Sequence, residues 1–207
     1  MNTIDSSLIH TVTVREHFSA ALQSAARNQD VALRDVTATY LVNLLTEFGE
    51  ISALAAVTDP NRQIKPLATL YGEALEAPTS EYRRRTLRKL GDLALFISGI
   101  FSESLNRKLV GLDYYIGMGE AAYCCVHDSL QDDARAKGVS TVFAELSAKF
   151  PLLVDLLNEI SEMSGLKSRC DMLRTYELWQ KTGSNRARKQ LQRAGVVPLP
   201  LHPPRAH

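Results

Sequence analysis

The chain has 207 residues and a mass of 22.9 kDa, with 45% apolar and 23% charged residues and a formal net charge of +1 at pH 7. That length and balance suit one globular domain with a real core, exclude disorder as the default, and give no overall attraction to nucleic acid or membrane. Charge is nevertheless uneven, with seven Lys/Arg against two acids in residues 82–108, three against nine in 113–162, and six against none in 181–207. Any steering of a charged partner is therefore local.

Cys124 and Cys125 are adjacent and Cys170 stands alone, which is neither a spaced disulfide framework nor a CxxC pair and predicts a reducing, cytoplasmic setting. The start, MNTIDSSLIHTVTVREHF, lacks the basic lead and apolar run of a signal peptide, and the longest apolar stretch near the centre, Leu93 to Ile97, is too short to span a bilayer.

Residues 1–12 read as a loose lead-in to a single helical domain over 13–195. Thr13-Val14-Arg15-Glu16 has the form of a capping box, in which the Thr hydroxyl accepts the third helix amide and the Glu returns to the cap. Phe18, Leu22 and Ala25 then face inward. A second helix starts around Asp35, buries Tyr40, Leu41, Leu44, Leu45 and Phe48, and is expected to end at Gly49, before the break at Asp59-Pro60-Asn61. Pro66 opens a third helix carrying Leu67, Leu70, Tyr71 and Leu75, and Pro78 ends it.

Thr79 or Ser80 caps a long fourth helix over about residues 80–105, the element around which the fold is organised. Leu87, Leu90, Ala94, Ile97, Phe101 and Leu105 form one 3.6-period stripe, while Leu93, Phe96 and Ile100 cover the opposite side. A helix apolar on all sides must be enclosed by others. Gly91 and Gly99 each cost about 1 kcal/mol against Ala in a helix, so another backbone or a ligand is expected to come close there.

Asp113 is the expected cap of a fifth helix with Ile116, Gly119, Tyr123, Val126 and Leu130 inward, and with Gly117 and Gly119 as sites of close approach. Ser140 is the expected cap of a sixth, with Val142, Phe143, Leu146 and Phe150 inward. Pro151 opens a seventh, which buries Leu153, Leu156, Leu157, Ile160 and Met163 and stops at Gly165. An eighth runs from Ser168 to about Gly183, and Ser184 caps a short basic helix with Ala187, Leu191 and Ala194 as its apolar strip. Residues 196–207 form a Pro-rich tail, either disordered or a strap in a groove, with Leu199 and Leu201 as apolar anchors. Strand alternation and fixed-period repeats are missing throughout, so the fold class is all-α, a single multi-helix domain around a buried central helix.

The run RRRTLRKLGDLALFISGIFSESLNRKLVGLDYYIGMGEAAY and the later TYELWQKTGSNRARKQLQRAGVVP resemble a family of bacterial helical proteins to which no activity is assigned. The resemblance implies the helical fold and a bacterial cytoplasm. It leaves function to the residues.

Asp92 lies in an apolar run, and Asn106, Arg107, Asp113, Tyr114, Tyr115 and Glu120 flank the turn between the fourth and fifth helices. Structurally, Arg107 would pair with Asp113, and Asp92 with Lys89 or a neighbouring helix, because buried charges must be paired. Functionally, the same residues would line a polar pocket with tyrosine walls. No Glu-x-x-His repeat of a di-iron bundle is present. Glu120, Cys124 and His127 could form only a mixed metal site, with His127 more naturally a boundary residue, so no metal and no cofactor are expected. Cys124 and Cys125 read as inert thiols in an apolar helix. His17 on the first helix and Gly91-Asp92-Leu93 on the fourth are similar to the proximal histidine and distal helix of heme oxygenases, which implies a heme pocket. Ala94 and Leu95 stand where that family has paired glycines, and Gly99 lies too far along.

Arg83, Arg84, Arg85, Arg88 and Lys89 on the fourth helix and Arg186, Arg188, Lys189 and Arg193 on the last are either a solvated face or contacts for an anionic partner. Nucleic acid lacks an accompanying motif. The expected function is thus a non-catalytic intracellular interaction or regulatory protein that binds a protein partner or itself. The alternative is a small-molecule or cofactor pocket, with or without enzymatic activity.

Overall fold

The computed structural model describes residues 13–58, 66–105, 111–131, 136–164 and 183–193, together with Met172, Thr175, Tyr176 and Trp179; at 50–58, 103–104 and 190 it describes backbone alone. The lead-in, the 106–110 connection, most of the expected eighth helix over 168–183 and the tail lie outside these residues. Among the described residues there are eight helices and no strand: α1 (Val14–Asn28), α2 (Asp35–Thr58), α3 (Leu67–Leu75), α4 (Ser80–Leu105), α5 (Leu112–Asp128), α6 (Lys137–Ala148), α7 (Phe150–Ser164) and α8 (Asn185–Arg193). None is long and apolar enough to cross a membrane.

α4 is the central element. It packs against α5, α7, α3 and α2, while α1 closes over α2 and α7, and α6 over α5 and α2. Leu90, Leu93, Ala94, Leu95, Phe96 and Ile100 are all buried, as the all-round apolarity demands. Ile97 and Phe101 are only half-buried, and α4 bends at Phe101, where φ −118° and ψ 22° leave the helical region.

The glycines explain how closely the helices approach. A Cβ on Gly99 would lie 2.4 Å from Leu157 Cβ of α7, and one on Gly119 would lie 2.2 Å from the Phe150 ring and 3.1 Å from Ala94 Cβ. Side chains, rather than another backbone or a ligand, therefore occupy these gaps, and α4, α5 and α7 share one tightly packed seam. Gly117 faces open space and carries no such contact.

Start signals hold at α1, α4 and α8. The Thr13 hydroxyl accepts the Glu16 amide at 3.2 Å while Glu16 accepts the Thr13 amide at 2.8 Å; Thr79 accepts the Tyr82 amide at 3.1 Å, and Ser184 the Ala187 amide at 3.3 Å. Two expected caps are displaced. α5 starts after Gly111, leaving Asp113 exposed in its first turn, where its charge still favours the helix dipole. α6 starts after Ala136, so Ser140 lies inside the helix with its hydroxyl directed at His127. α2 does not stop at Gly49 but continues to Thr58, with the Phe18 ring 3.5 Å from where a Gly49 Cβ would stand. Met163 is 53% exposed rather than inward, since Ser161 takes the buried position near the end of α7.

α1 ends with Asp30 at φ +54°, while the Val31 amide reaches back to Ala26 O at 2.9 Å and the Asp30 amide to Arg27 O at 3.3 Å. This is a Schellman turn with Asp in the place usually held by Gly, and it sends residues 31–34 toward α6. Gly183, at φ +63°, donates its amide to Trp179 O at 2.8 Å. Ala187 and Leu191 of α8 are buried, although outside the main core cluster.

Candidate functional site

One buried carboxylate gathers three helices. Asp92 on α4 accepts the Tyr123 hydroxyl of α5 on Oδ1 at 2.8 Å, and the Tyr40 hydroxyl of α2 donates to that same oxygen. Arg88, one turn earlier on α4, donates Nε to the Tyr40 hydroxyl oxygen at 3.0 Å, stands 3.6 Å from Asp92 Oδ2, and holds its guanidinium 5.1 Å from the Tyr40 ring centroid. The neighbouring Gly91 makes the arrangement possible, since a Cβ there would lie 2.6 Å from the Tyr123 ring. Phe143 of α6 closes the far side, with its ring centroid 5.7 Å from that of Tyr40 and 5.8 Å from that of Tyr123.

Burial dominates the electrostatics. It pushes the Asp92 carboxyl up to about 6 against the stabilising hydroxyls of Tyr40 and Tyr123 and the charge of Arg88, and Glu47 of α2 pushes the same way as burial. Burial, followed by the adjoining Asp92 charge, also raises both tyrosines above the ordinary phenol range, so they remain neutral donors. Chemically, the cluster is a carboxylate that can exchange a proton near pH 6 between two phenols and a guanidinium. Its oxygens already serve the fold.

The sequence-derived polar cluster is thereby divided. Asp92 is bonded to neighbouring helices and to Arg88, not to Lys89. Asp113, Tyr114 and Tyr115 sit at the start of α5, roughly 12–15 Å along the helix from Tyr123 at 1.5 Å per residue. There Asp113 and Tyr114 are exposed, and the rings of Tyr114 and Tyr115 meet edge to face at 5.6 Å. Glu120 is half-buried, and its backbone oxygen accepts the Ser147 hydroxyl of α6 at 3.0 Å. Asn106 and Arg107 lie outside the described residues, and with them the proposed Arg107–Asp113 pair. Tyr40 and Tyr123, read from sequence only as inner-face residues, are the two missing partners. A tyrosine in a leucine stripe announces them, because its buried hydroxyl must be satisfied.

A second buried carboxylate had no sequence signal. Glu145 of α6 accepts the Thr37 hydroxyl at 2.6 Å, the Arg34 amide at 3.4 Å and Lys149 Nζ at 2.8 Å, and Lys149 also reaches Ala32 O at 2.6 Å. Burial raises its pKa, but these donors together outweigh burial and hold it below the ordinary carboxylate value. Nearby, half-buried His127 is held from both sides, with Nδ1 2.9 Å from Ser140 O and Nε2 2.9 Å from the Gln131 amide nitrogen, in keeping with a boundary residue.

The heme oxygenase likeness finds no matching geometry. His17 is exposed on α1, its ring centroid 5.7 Å from that of Phe18, and the space over Gly91 is filled by Tyr123. Cys124 and Cys125 are exposed rather than buried in an apolar face. Burial and Asp128 raise the Cys124 thiol above its usual value, which lowers its nucleophilicity at neutral pH. Among the described residues no three of His, Cys, Asp and Glu gather at metal-binding spacing.

The basic residues divide as well. Arg88 belongs to the Asp92 cluster, and Arg85 pairs with Glu81 at 3.2 Å. Arg83 and Lys89 are exposed and Arg84 half-exposed, and no described carboxylate pairs with them; on α8, Arg186, Arg188 and Lys189 are exposed. No family model, curated protein or solved structure matches the chain. The site is therefore read from its own chemistry.

Proposed function

We propose that the chain is a non-catalytic helical interaction protein of the cytoplasm, which meets an acidic protein surface through the basic start of α4, extended by α8. One observation carries this reading: Asp92 and Glu145, the buried carboxylates, are occupied in joining helices, while Arg83, Arg84 and Lys89 stand outward with no described carboxylate beside them. Unpaired cations on a rigid helix favour an acidic partner at little entropic cost. Two exposed free thiols, Cys124 and Cys125, support a reducing compartment.

The test is capture with the tagged full-length chain, compared with a chain carrying Arg83→Glu, Arg84→Glu and Lys89→Glu. The wild type should hold one stoichiometric acidic partner, or a second copy of itself, in a salt-sensitive way, and the reversed chain should lose it while melting normally. Retention of the partner by the reversed chain overturns the reading. So does purification with a tightly held chromophore or metabolite, which would favour instead a small-molecule pocket at Asp92, the second reading that a carboxylate between two phenols supports.

A further inference from the structure

The basic face of α4 and the buried cluster share one residue, Arg88. Its side chain is 55% exposed, yet its Nε stands 3.6 Å from a carboxylate whose own side chain is 17% exposed. Arg84, Arg85, Arg88 and Lys89 thus neighbour one another at three- and four-residue spacings along α4, while Asp92 offsets the Arg88 charge from beneath. Arg85 is offset in a different way, by Glu81 on the surface.

We infer that Asp92 is a proton-operated gate on the charge of this face: ionised, it neutralises Arg88, and protonated, it leaves Arg88 as a further uncompensated cation for an acidic partner. Position need not change. The Tyr40 hydroxyl still accepts Arg88 Nε, and the ring beneath the guanidinium still holds it, so protonation alters the charge presented and not the shape. Tyr123 and Tyr40 can go on donating to Oδ1 while the added proton sits on Oδ2, the oxygen facing Arg88.

The groups acting on Asp92 are Tyr40 and Glu47 from α2, Arg88 from its own helix and Tyr123 from α5. α6 brings the Phe143 ring, and α3 and α7 contribute no described hydrogen bond or ion pair to it. Both tyrosines stay neutral and Arg88 stays charged across the working range, and burial places the carboxyl at about 6, so Asp92 is the member that changes. The inference rests on the reading of α4 as an interaction face and names its regulation.

The probe is a fluorescent poly-aspartate peptide titrated at low salt with the full-length chain, at pH 7.5 and pH 5.5. The wild type should bind about twofold to fivefold more tightly at pH 5.5, the size expected when one exposed cation is released from its partner. At pH 7.5 Asp92→Asn should bind more tightly than the wild type by that same factor, and it should lose this part of the pH dependence while keeping that of every other group. An equal pH dependence in both chains overturns the gate. If neither chain binds at either pH, the interaction reading fails instead, and NMR decides the gate by itself. The Asp92 carboxyl carbon and the Arg88 Nε–H should then titrate together near pH 6, and an Arg88 signal that ignores the Asp92 midpoint overturns it.

Discussion

Asp92, largely buried, and Glu145, buried, are two carboxylates that both join helices, and their proton affinities move in opposite directions. Asp92 receives two neutral hydroxyls and one guanidinium held 3.6 Å from its second oxygen. Glu145 receives an ammonium at 2.8 Å, a hydroxyl at 2.6 Å and a backbone amide, with the Arg34 guanidinium 3.8 Å away. Burial pushes both upward, but only at Glu145 do the donors prevail. Two differences set the directions: burial weighs more heavily on Asp92, and only Glu145 has a direct ammonium contact to hold it ionised. The Glu145 joint is a fixed lock between α6 and the start of α2. The Asp92 joint is poised.

The largest way to break this comparison is to remove a wall of the poised joint. Tyr123 is wholly buried, and its ring lies 5.9 Å from that of Phe150 as well as against Phe143 and Gly91. Tyr123→Ala should cost about 3–5 kcal/mol in chemical denaturation, the usual price of a large aromatic cavity, and should also remove a donor from Asp92. A loss below about 1 kcal/mol would mean that α5 does not depend on this packing.

Next comes the pH dependence, whose sign differs between the joints. Asp92 is raised from 3.8 to about 6, so its contribution to stability is fully present below 3.8 and is lost as pH rises through 6. Relative to Asp92→Asn, the wild type should therefore lose up to about 3 kcal/mol of unfolding free energy between pH 4 and pH 7, taking about 1.4 kcal/mol per pKa unit. Glu145 is lowered from 4.5, so its contribution is present above 4.5 and is lost as pH falls through its folded value. Glu145→Gln should cost about 1–3 kcal/mol at pH 7, leaving Lys149 without its charge partner, and that cost should shrink in acid. Denaturation curves that change in the same direction for both variants would erase the distinction.

Much of the fold was legible because hydrophobic period and cap chemistry are local. The Thr13–Glu16 box, the enclosed run Leu90–Ile100 and the close approach at Gly99 and Gly119 follow from residues within a few turns of one another. Where a local signal misled, tertiary contact had claimed the residue. Ser140 is drawn to His127 instead of capping α6, and Gly49 stays helical with Phe18 beside it. The site was legible only by halves. Asp92 declared itself as a charge in an apolar run, but its partners lie 52 and 31 residues away in sequence, and Thr37 lies 108 residues from Glu145. Such pairings depend on how α2, α5 and α6 are laid against α4, which no short window of sequence contains.

The smallest expected effect is the most diagnostic for the poised joint. Tyr40→Phe keeps the ring under the Arg88 guanidinium and the edge contact with Phe143, and removes only the hydroxyl that donates to Asp92 and accepts from Arg88. A hydrogen bond of this kind contributes about 0.5–1.5 kcal/mol net, so the stability change at pH 7 should be modest. The shift in proton affinity should be clear, because the lost hydroxyl is the second-largest influence on Asp92 after burial and acts to lower its pKa. The Asp92 midpoint, followed by its carboxyl carbon in NMR, should therefore rise above 6 in Tyr40→Phe, and the onset of its stability loss should move to higher pH with it. A midpoint that stays in place or falls would show that Arg88 has closed on Oδ2 in compensation, making the Asp92 joint a lock like that of Glu145.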